Sequence, residues 1–352
     1  MYYDNISETL KEYFKILSPE FPKWLHEYIN TPEMLRIGKI SMDCGCYYTN
    51  IFPSHPWHTN LDHSVGVALI IWNFTKNKKQ TLAGLFHDIA TPVFKHCIDF
   101  MNGDSEKQES TEERTHDIIK NSKEIMTLLN RDGIRLEEVD DYKLYPIADN
   151  DSPRLSADRF EYNFCCGLIM RPVWTLENIK KCYNDIIIVK NEDGIDELAF
   201  ATKETAELYI SIVSKLWPWW VNDADRTSMQ FIADLCKSLK ELNYLTIDDL
   251  YTLSEKEVIE KFKTCDKYIS ESFDKFQNAT KVYRSDKEIK DKYCINVKGK
   301  RRYVNPLVKV ENTVKRIYDI SKKAKNDIDE YMKIPIEGYT YLDFNFIPIE
   351  RK

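Results

Sequence analysis

Six of the seven histidines in this 352-residue chain lie between His55 and His116, and none follows His116. Core histidines are expected to scatter, so the clustering marks a site. At its centre the apolar run "AGLF" ends in His87-Asp88, and "IATPVFKHCID" follows with His96 and Asp99. A second pair, His116-Asp117, occurs downstream, so the dipeptide alone carries little information. Its company carries more. His63 stands upstream in the apolar stretch "LDHSVGVALIIW", and Asp158 stands downstream in "SADRFEY". Imidazole nitrogens with carboxylate oxygens suit a borderline or hard divalent cation such as Mn, Fe, Co, Ni, Zn or Mg, without selecting among them. Two His and two Asp leave coordination positions open for water and substrate. A cation so held lowers the pKa of its water and polarises a phosphoryl oxygen.

Four side chains so far apart in sequence converge only if rigid elements carry them. Glycines are few, ten in all, and helical periodicity dominates. "SETLKEYFKIL" and "TPEMLRIGKI" read as helices, the second with Thr31 as N-cap and Pro32 at its first position. "LDHSVGVALIIWNFTK" reads as a mostly buried helix whose Ser64, Gly66 and Ala68 thin one face for close packing. "KQTLAGLFHDI" is a second apolar helix, expected to end near Ala90-Thr91-Pro92, where proline disfavours continuation. "STEERTHDIIKNSKEIMTLLNRDG" is a third, with Gly133 as its cap, and "SPRLSADRFEYNFCCGLIM" is a fourth. After Met170, "DIIIVKNEDGIDELAFAT" reads as a hairpin turning at Asp193-Gly194. "KYCINVKGKRRYVNPLV" reads as a second hairpin, its basic "VKGKRR" solvated or reaching a phosphate from another subunit. "LWPWW" reads as core or interface. The expected fold is all-α, with a metal-binding catalytic core over 1–170. A helical region over 171–352, with small β-hairpin appendages, packs on it.

Composition removes several function classes. The chain is 43% hydrophobic and 30% charged, with a formal net charge of −7 and a pI near 5.7. A broad nucleic-acid surface does not fit that balance. Nine scattered cysteines, odd in number and without a CxxC, suit a reduced cytoplasmic setting better than a disulfide framework. The amphipathic start "YYDNISETLKEYF" is not a signal peptide, and no apolar run approaches the roughly 20 residues of a membrane span.

The order H…HD…D on helices resembles the HD-domain metal-dependent phosphohydrolases, and within them the dNTP triphosphohydrolase (dGTPase-like) branch. Where that branch has "LR-x-I-K-Q-L-G-G" leading to "H-x-R-x-x-H-S-x-G-V", this chain has "MLRIGKISMDCGCYYTNIFPSHPWHTNLDHSVGV". "A-G-L-x-H-D-x-G-H-x-P-F-S-H-x-x-D" appears as "AGLFHDIATPVFKHCID", "T-H-E" as "THD", and "D-x-D-[RK]-x-D-Y" as "SADRFEY". The resemblance covers roughly residues 10–170. It implies an HD-domain core and one divalent metal ion on His63, His87, Asp88 and Asp158. It implies a catalytic group of His96, Asp99 and His116, with His116 placed as general acid. Arg159 and Tyr162 match phosphate-touching positions, and His58 and Asn60 match two further substrate-side positions. Three departures stand out: Asn60 replaces the Arg of H-x-R-x-x-H, Thr91 replaces the second His of H-D-x-G-H, and Cys166 replaces a further Asp. The resemblance therefore implies metal-dependent hydrolysis of a small phosphoester, a (deoxy)nucleotide, with altered triphosphate grip. A nucleoside monophosphatase, a cyclic-nucleotide phosphodiesterase and a non-catalytic nucleotide-sensing regulator are the alternatives. Homo-oligomers are common in the family.

Overall fold

Thr59 starts the helix on which the site depends. Its hydroxyl accepts the Asp62 amide at 3.1 Å, and the Asp62 carboxylate accepts the Thr59 amide at 2.9 Å. This reciprocal cap fixes the first turn of α1 (Asn60–Thr75). Every residue of α1 from Asn60 to Ile71 is buried. The side chain of Asn77 caps α2 (Lys78–Phe86) through the Lys79 and Gln80 amides. α1 and α2 pack closely because Gly84 has no side chain: a Cβ there would lie 2.2 Å from Ile71 Cδ1. After a turn comes α3 (His96–Met101), and Ser156 later caps α4 (Ala157–Cys165). α5 (Asp223–Glu241) packs against α3.

In this computed structural model, which describes residues 1–349, the chain is mainly helical with two small sheets. Strands β1 (Ile186–Lys190) and β2 (Asp196–Phe200) form the expected antiparallel hairpin, with Ile188 opposite Leu198. β3 (Tyr283–Ser285) and β4 (Tyr293–Ile295) precede β5 (Leu307–Val310), β6 (Thr313–Arg316) and β7 (Tyr339–Leu342). The strand orders are β1-β2-β5-β6 and β3-β7-β4, and β2 pairs with β5 in parallel. β4 and β5 therefore belong to different sheets, and the second expected hairpin does not form. Residues 296–306, which include the basic run, connect them without strand pairing.

Two other boundaries differ from expectation. The long helix expected through "STEERTHDIIKNSKEIMTLLNRDG" is broken at Ser122, whose ψ of 110° leaves the helical region. The Ser122 hydroxyl accepts the Ile125 amide at 3.2 Å and restarts the helix. α2 ends at Phe86 rather than near Pro92. The His87 ring takes over the last turn by donating Nδ1–H to the Gly84 carbonyl at 2.7 Å.

Two hydrophobic clusters hold these elements. One joins Leu10, Val65 and Phe160 to Tyr209 and Tyr331. The other joins Ile40 and Phe94 to Phe231, Phe262 and Phe346. Each draws on both sides of residue 170. All nine cysteines are free thiols. Among the described residues, no helix is long and apolar enough to cross a membrane.

Candidate metal centre

α1 presents His63, the end of α2 presents His87 and Asp88, and the first turn of α4 presents Asp158. His63 Nε2 lies 3.1 Å from Asp158 Oδ1, 3.2 Å from His87 Nε2 and 3.9 Å from Asp88 Oδ2. His87 Nε2 lies 3.6 Å from Asp88 Oδ2 and 3.7 Å from Asp158 Oδ1. Four donor atoms from three elements thus face one small volume.

The outer hydrogen bonds settle which ring nitrogens face inward. The Gly84 carbonyl can only accept, so His87 carries its proton on Nδ1 and turns the Nε2 lone pair to the centre. Glu161 Oε2 accepts from His63 Nδ1 at 2.5 Å, which turns His63 Nε2 the same way. Two lone pairs 3.2 Å apart repel unless a proton or a cation lies between them. The charges agree. Burial disfavours charge on His63, yet its bonds to Asp158 and Glu161 outweigh burial and raise it to about 10. Burial likewise opposes ionisation of Asp88, but His87, Lys95 and His63 hold it well below the usual carboxylate range. Asp158 is held low by His63 against the same burial. The residues present fit a divalent cation: the donors are nitrogen and oxygen, oriented inward, and short of positive charge.

Glu161 has no sign in the metal-binding pattern, although it stands three residues after Asp158 on the same helix. It is fully buried and also accepts from Tyr13 Oη and Cys165 Sγ, each at 3.1 Å. Its room is made by Gly66: a Cβ at that position would lie 2.4 Å from Glu161 Oε1. The thinned face of α1 is thus where the carboxylate that orients His63 enters. Lys95 is a second such residue. Its ammonium is buried among Asp88 Oδ2 at 3.2 Å, Met42 Sδ at 3.3 Å and Asn60 Oδ1. A charged residue inside "PVFKHC" is the sequence signal.

The centre opens into a cavity of about 730 Å³. His63, His87, Asp88, Asp158, Arg159, Tyr162 and His96 line it. Asp99 lies behind His96 and accepts from its Nδ1 at 3.0 Å, leaving Nε2 toward the cavity. Enclosure lowers the His96 pKa below the ordinary imidazole range; the charge of Arg302 adds to this and Asp99 opposes it. Arg159 pairs with Asp149 at 3.0 Å and donates to carbonyls of Asn150 and Arg154, bracing that wall. Tyr162 meets the edge of Trp220. Asn60 is buried beneath Lys95 and does not line the cavity; it donates to Thr91 Oγ1 at 3.1 Å. His58 is buried behind His63, on Cys165 Sγ at 3.0 Å. His116 is not brought to the cavity: 44% of its side chain is exposed, and it pairs with Asp140 at 2.5 Å. Trp217 is core, whereas Trp219 and Trp220 line the cavity. Lys300, Arg301 and Arg302 line it from the same chain, so the basic run is neither a hairpin nor simply solvated.

No family model matches the chain. Relatives by sequence include the uncharacterized protein YdhJ of Bacillus subtilis, 22% identical over 310 residues, 86% of this chain and 89% of YdhJ. The metal-dependent phosphohydrolase cns2 of Cordyceps militaris is 27% identical over 140 residues, 39% of each protein. The chain thus has metal-dependent phosphohydrolase relatives. Among solved structures, a hypothetical protein from Aquifex aeolicus matches with a TM-score of 0.63 and 18% identity, over 92% of this chain and 93% of that one. A phosphohydrolase from Bacteroides thetaiotaomicron matches with a TM-score of 0.66 and 12% identity, over 93% and 97%. At these identities the structural likeness is one of fold.

Proposed function

We propose that the chain is a metal-dependent phosphohydrolase of the HD type that cleaves a phosphoester in a nucleotide-sized substrate. The observation that carries this is the convergence of His63 Nε2, His87 Nε2, Asp88 Oδ2 and Asp158 Oδ1, with the outer nitrogen of each ring held by Glu161 or the Gly84 carbonyl. A divalent cation bound there supplies an acidified water and a Lewis acid for a phosphoryl oxygen. The chain's own residues do the rest. Asp99 fixes the His96 tautomer, leaving Nε2 an acceptor at the cavity face, where the Arg302 guanidinium donates to it at 3.1 Å. Arg159 and its carbonyl partners hold the wall beside Asp158 in place. Phe52, Tyr162, Trp219 and Trp220 add aromatic surface to the cavity lining, suited to a nucleobase.

Elemental analysis of the purified protein, followed by a screen of nucleotides and generic phosphoesters, tests the reading. One divalent ion per chain is expected, and His87→Ala with Asp88→Ala should remove metal and turnover together. Metal retained by that double variant, in a folded protein, would refute the ligand assignment. Product analysis separates the chemistries: inorganic triphosphate marks the triphosphohydrolase route, phosphate a monophosphatase, and a linear nucleotide a cyclic phosphodiesterase.

A further inference from the structure

One loop reaches both ring nitrogens of His96, through a single intermediary on each side. The loop runs from Asp104 to Ser110 and organises itself: the Asp104 carboxylate accepts the Lys107 amide at 3.2 Å and the Glu109 amide at 2.9 Å. On the Nδ1 side, Ser110 Oγ donates to Asp99 Oδ1 at 2.7 Å and steadies the carboxylate that accepts from His96. On the Nε2 side the intermediary is Arg302. Gln108 lies between the exposed Lys107 and Glu109, yet it is only 7% exposed, and its φ of 58° turns it inward. Its side-chain amide donates to Ser105 O at 3.1 Å, which presents Oε1 to Arg302. Arg302 Nη2 then donates to Gln108 Oε1 at 2.6 Å and to His96 Nε2 at 3.1 Å, so both of its protons are placed.

The connection that carries Arg302 follows the same loop. Lys298 pairs with Glu106 at 2.5 Å, Lys300 donates to the Lys107 carbonyl, and Arg302 meets Gln108. Successive loop residues thus meet every second residue of the connection. Donor roles then fix the ring. A guanidinium has no acceptor and a carboxylate no donor. With Asp99 on Nδ1 and Arg302 on Nε2, the His96 lone pair is on Nε2, and a second proton enters that ring only when Arg302 lets go. Charges act on the ring from three directions: Asp99 from its own helix, Lys95 from the turn before it and Arg302 from the connection. Asp225, on α5 packed against α3, interacts with Arg302 in turn.

We infer that Gln108 is a positioning residue: by holding Arg302 on Nε2, it governs whether His96 can take up a proton. The use of His96 in turnover rests on the phosphohydrolase reading; the hold on its ring does not.

Magnetic resonance titration of the full chain carrying isotope-labelled histidine tests this without metal or substrate, the His96 signals being those lost in His96→Gln. In the unaltered protein the proton of the neutral ring should be on Nδ1. Gln108→Met keeps the length and loses the acceptor. In it the midpoint of His96 protonation should rise by about half a pH unit or more, about threefold in proton affinity. Arg302→Gln should raise the midpoint at least as far, and the double variant no further than Arg302→Gln alone, because Gln108 acts through Arg302. An unchanged midpoint in folded Gln108→Met overturns the inference, as does a Gln108→Met effect that persists in full on top of Arg302→Gln. If Gln108→Met does not fold, Gln108→Ala takes its place under the same criteria. Midpoints that move as stated in a protein that hydrolyses no phosphoester would leave the hold on His96 standing and remove its catalytic use.

Discussion

Replacing Glu161 by Gln removes one charge from behind the proposed metal centre while keeping its shape. Glu161 has no exposed surface and touches no cavity, so the change acts only through its partners. Of these, His63 Nδ1 at 2.5 Å is the one that couples to the centre. A glutamine oxygen can still accept that bond, and its amide can turn to Tyr13 Oη, which accepts as well as donates. What is lost is the carboxylate that makes His63 Nε2 electron-rich and holds its ring in line. Such outer partners govern about 10- to 100-fold in metal affinity, or about 1.4–2.7 kcal/mol. The assay is competition for the cation with a chelating dye, run on the unaltered protein and on Glu161→Gln at one pH. A second measurement, the circular dichroism of both, checks that the helices are intact. Metal affinity unchanged within about twofold would mean that Glu161 does not steer His63 toward the cation, and that the ion measured is held elsewhere than at His63.

Gly66→Ala should damage the same feature from the other side, because its Cβ would reach within 2.4 Å of Glu161 Oε1 and 2.7 Å of its Cγ. A denaturant melt should show a loss of about 1–3 kcal/mol, and metal content should fall with it; a neutral substitution would show that Glu161 has slack the packing does not suggest. Glu255 gives a pH dependence away from the site. Burial, with Asp43 nearby, raises its carboxyl to about 8 from an ordinary 4.5. Folding then favours the protonated form, so this contribution is fully present below pH 4.5 and lost as pH rises through about 8. Glu255→Gln keeps the uncharged shape, and its melting temperature should gain on the unaltered protein from pH 5 to about pH 8 and then level off. Parallel melting profiles would contradict the assignment.

The parts legible in the sequence were those written in local chemistry. The helix start at Thr31-Pro32, the apolar helices that carry His63 and lead into His87, the helix that carries Asp158, and the hairpin turning at Asp193-Gly194 all form. The parts that were not legible depend on distant partners or on backbone turns. Phe94 and Lys95 both have positive φ, 64° and 48°; the charge inside "PVFKHC" marks Lys95, but only that turn sends it inward to Asp88. The basic run looks solvated because its partners, Gln108 and His96, lie 194 and 206 residues earlier. The second hairpin failed for the same reason: β4 finds a better neighbour in β7 than in β5, and tertiary pairing overrides the adjacent turn.

Two of the three departures from the resembled pattern turn out to be neighbours. Asn60, where that pattern has an arginine, donates to Thr91, where it has a histidine, and accepts from Lys95. An arginine at 60 would direct a second cation at the Lys95 ammonium in a buried space, so the two arrangements exclude each other. Positive charge is thereby kept beside Asp88 but changes carrier. An ammonium has three protons, and here they face Asn60 Oδ1, Asp88 Oδ2 and Met42 Sδ. None is left over for a substrate oxygen, whereas an arginine would have offered a five-donor fork.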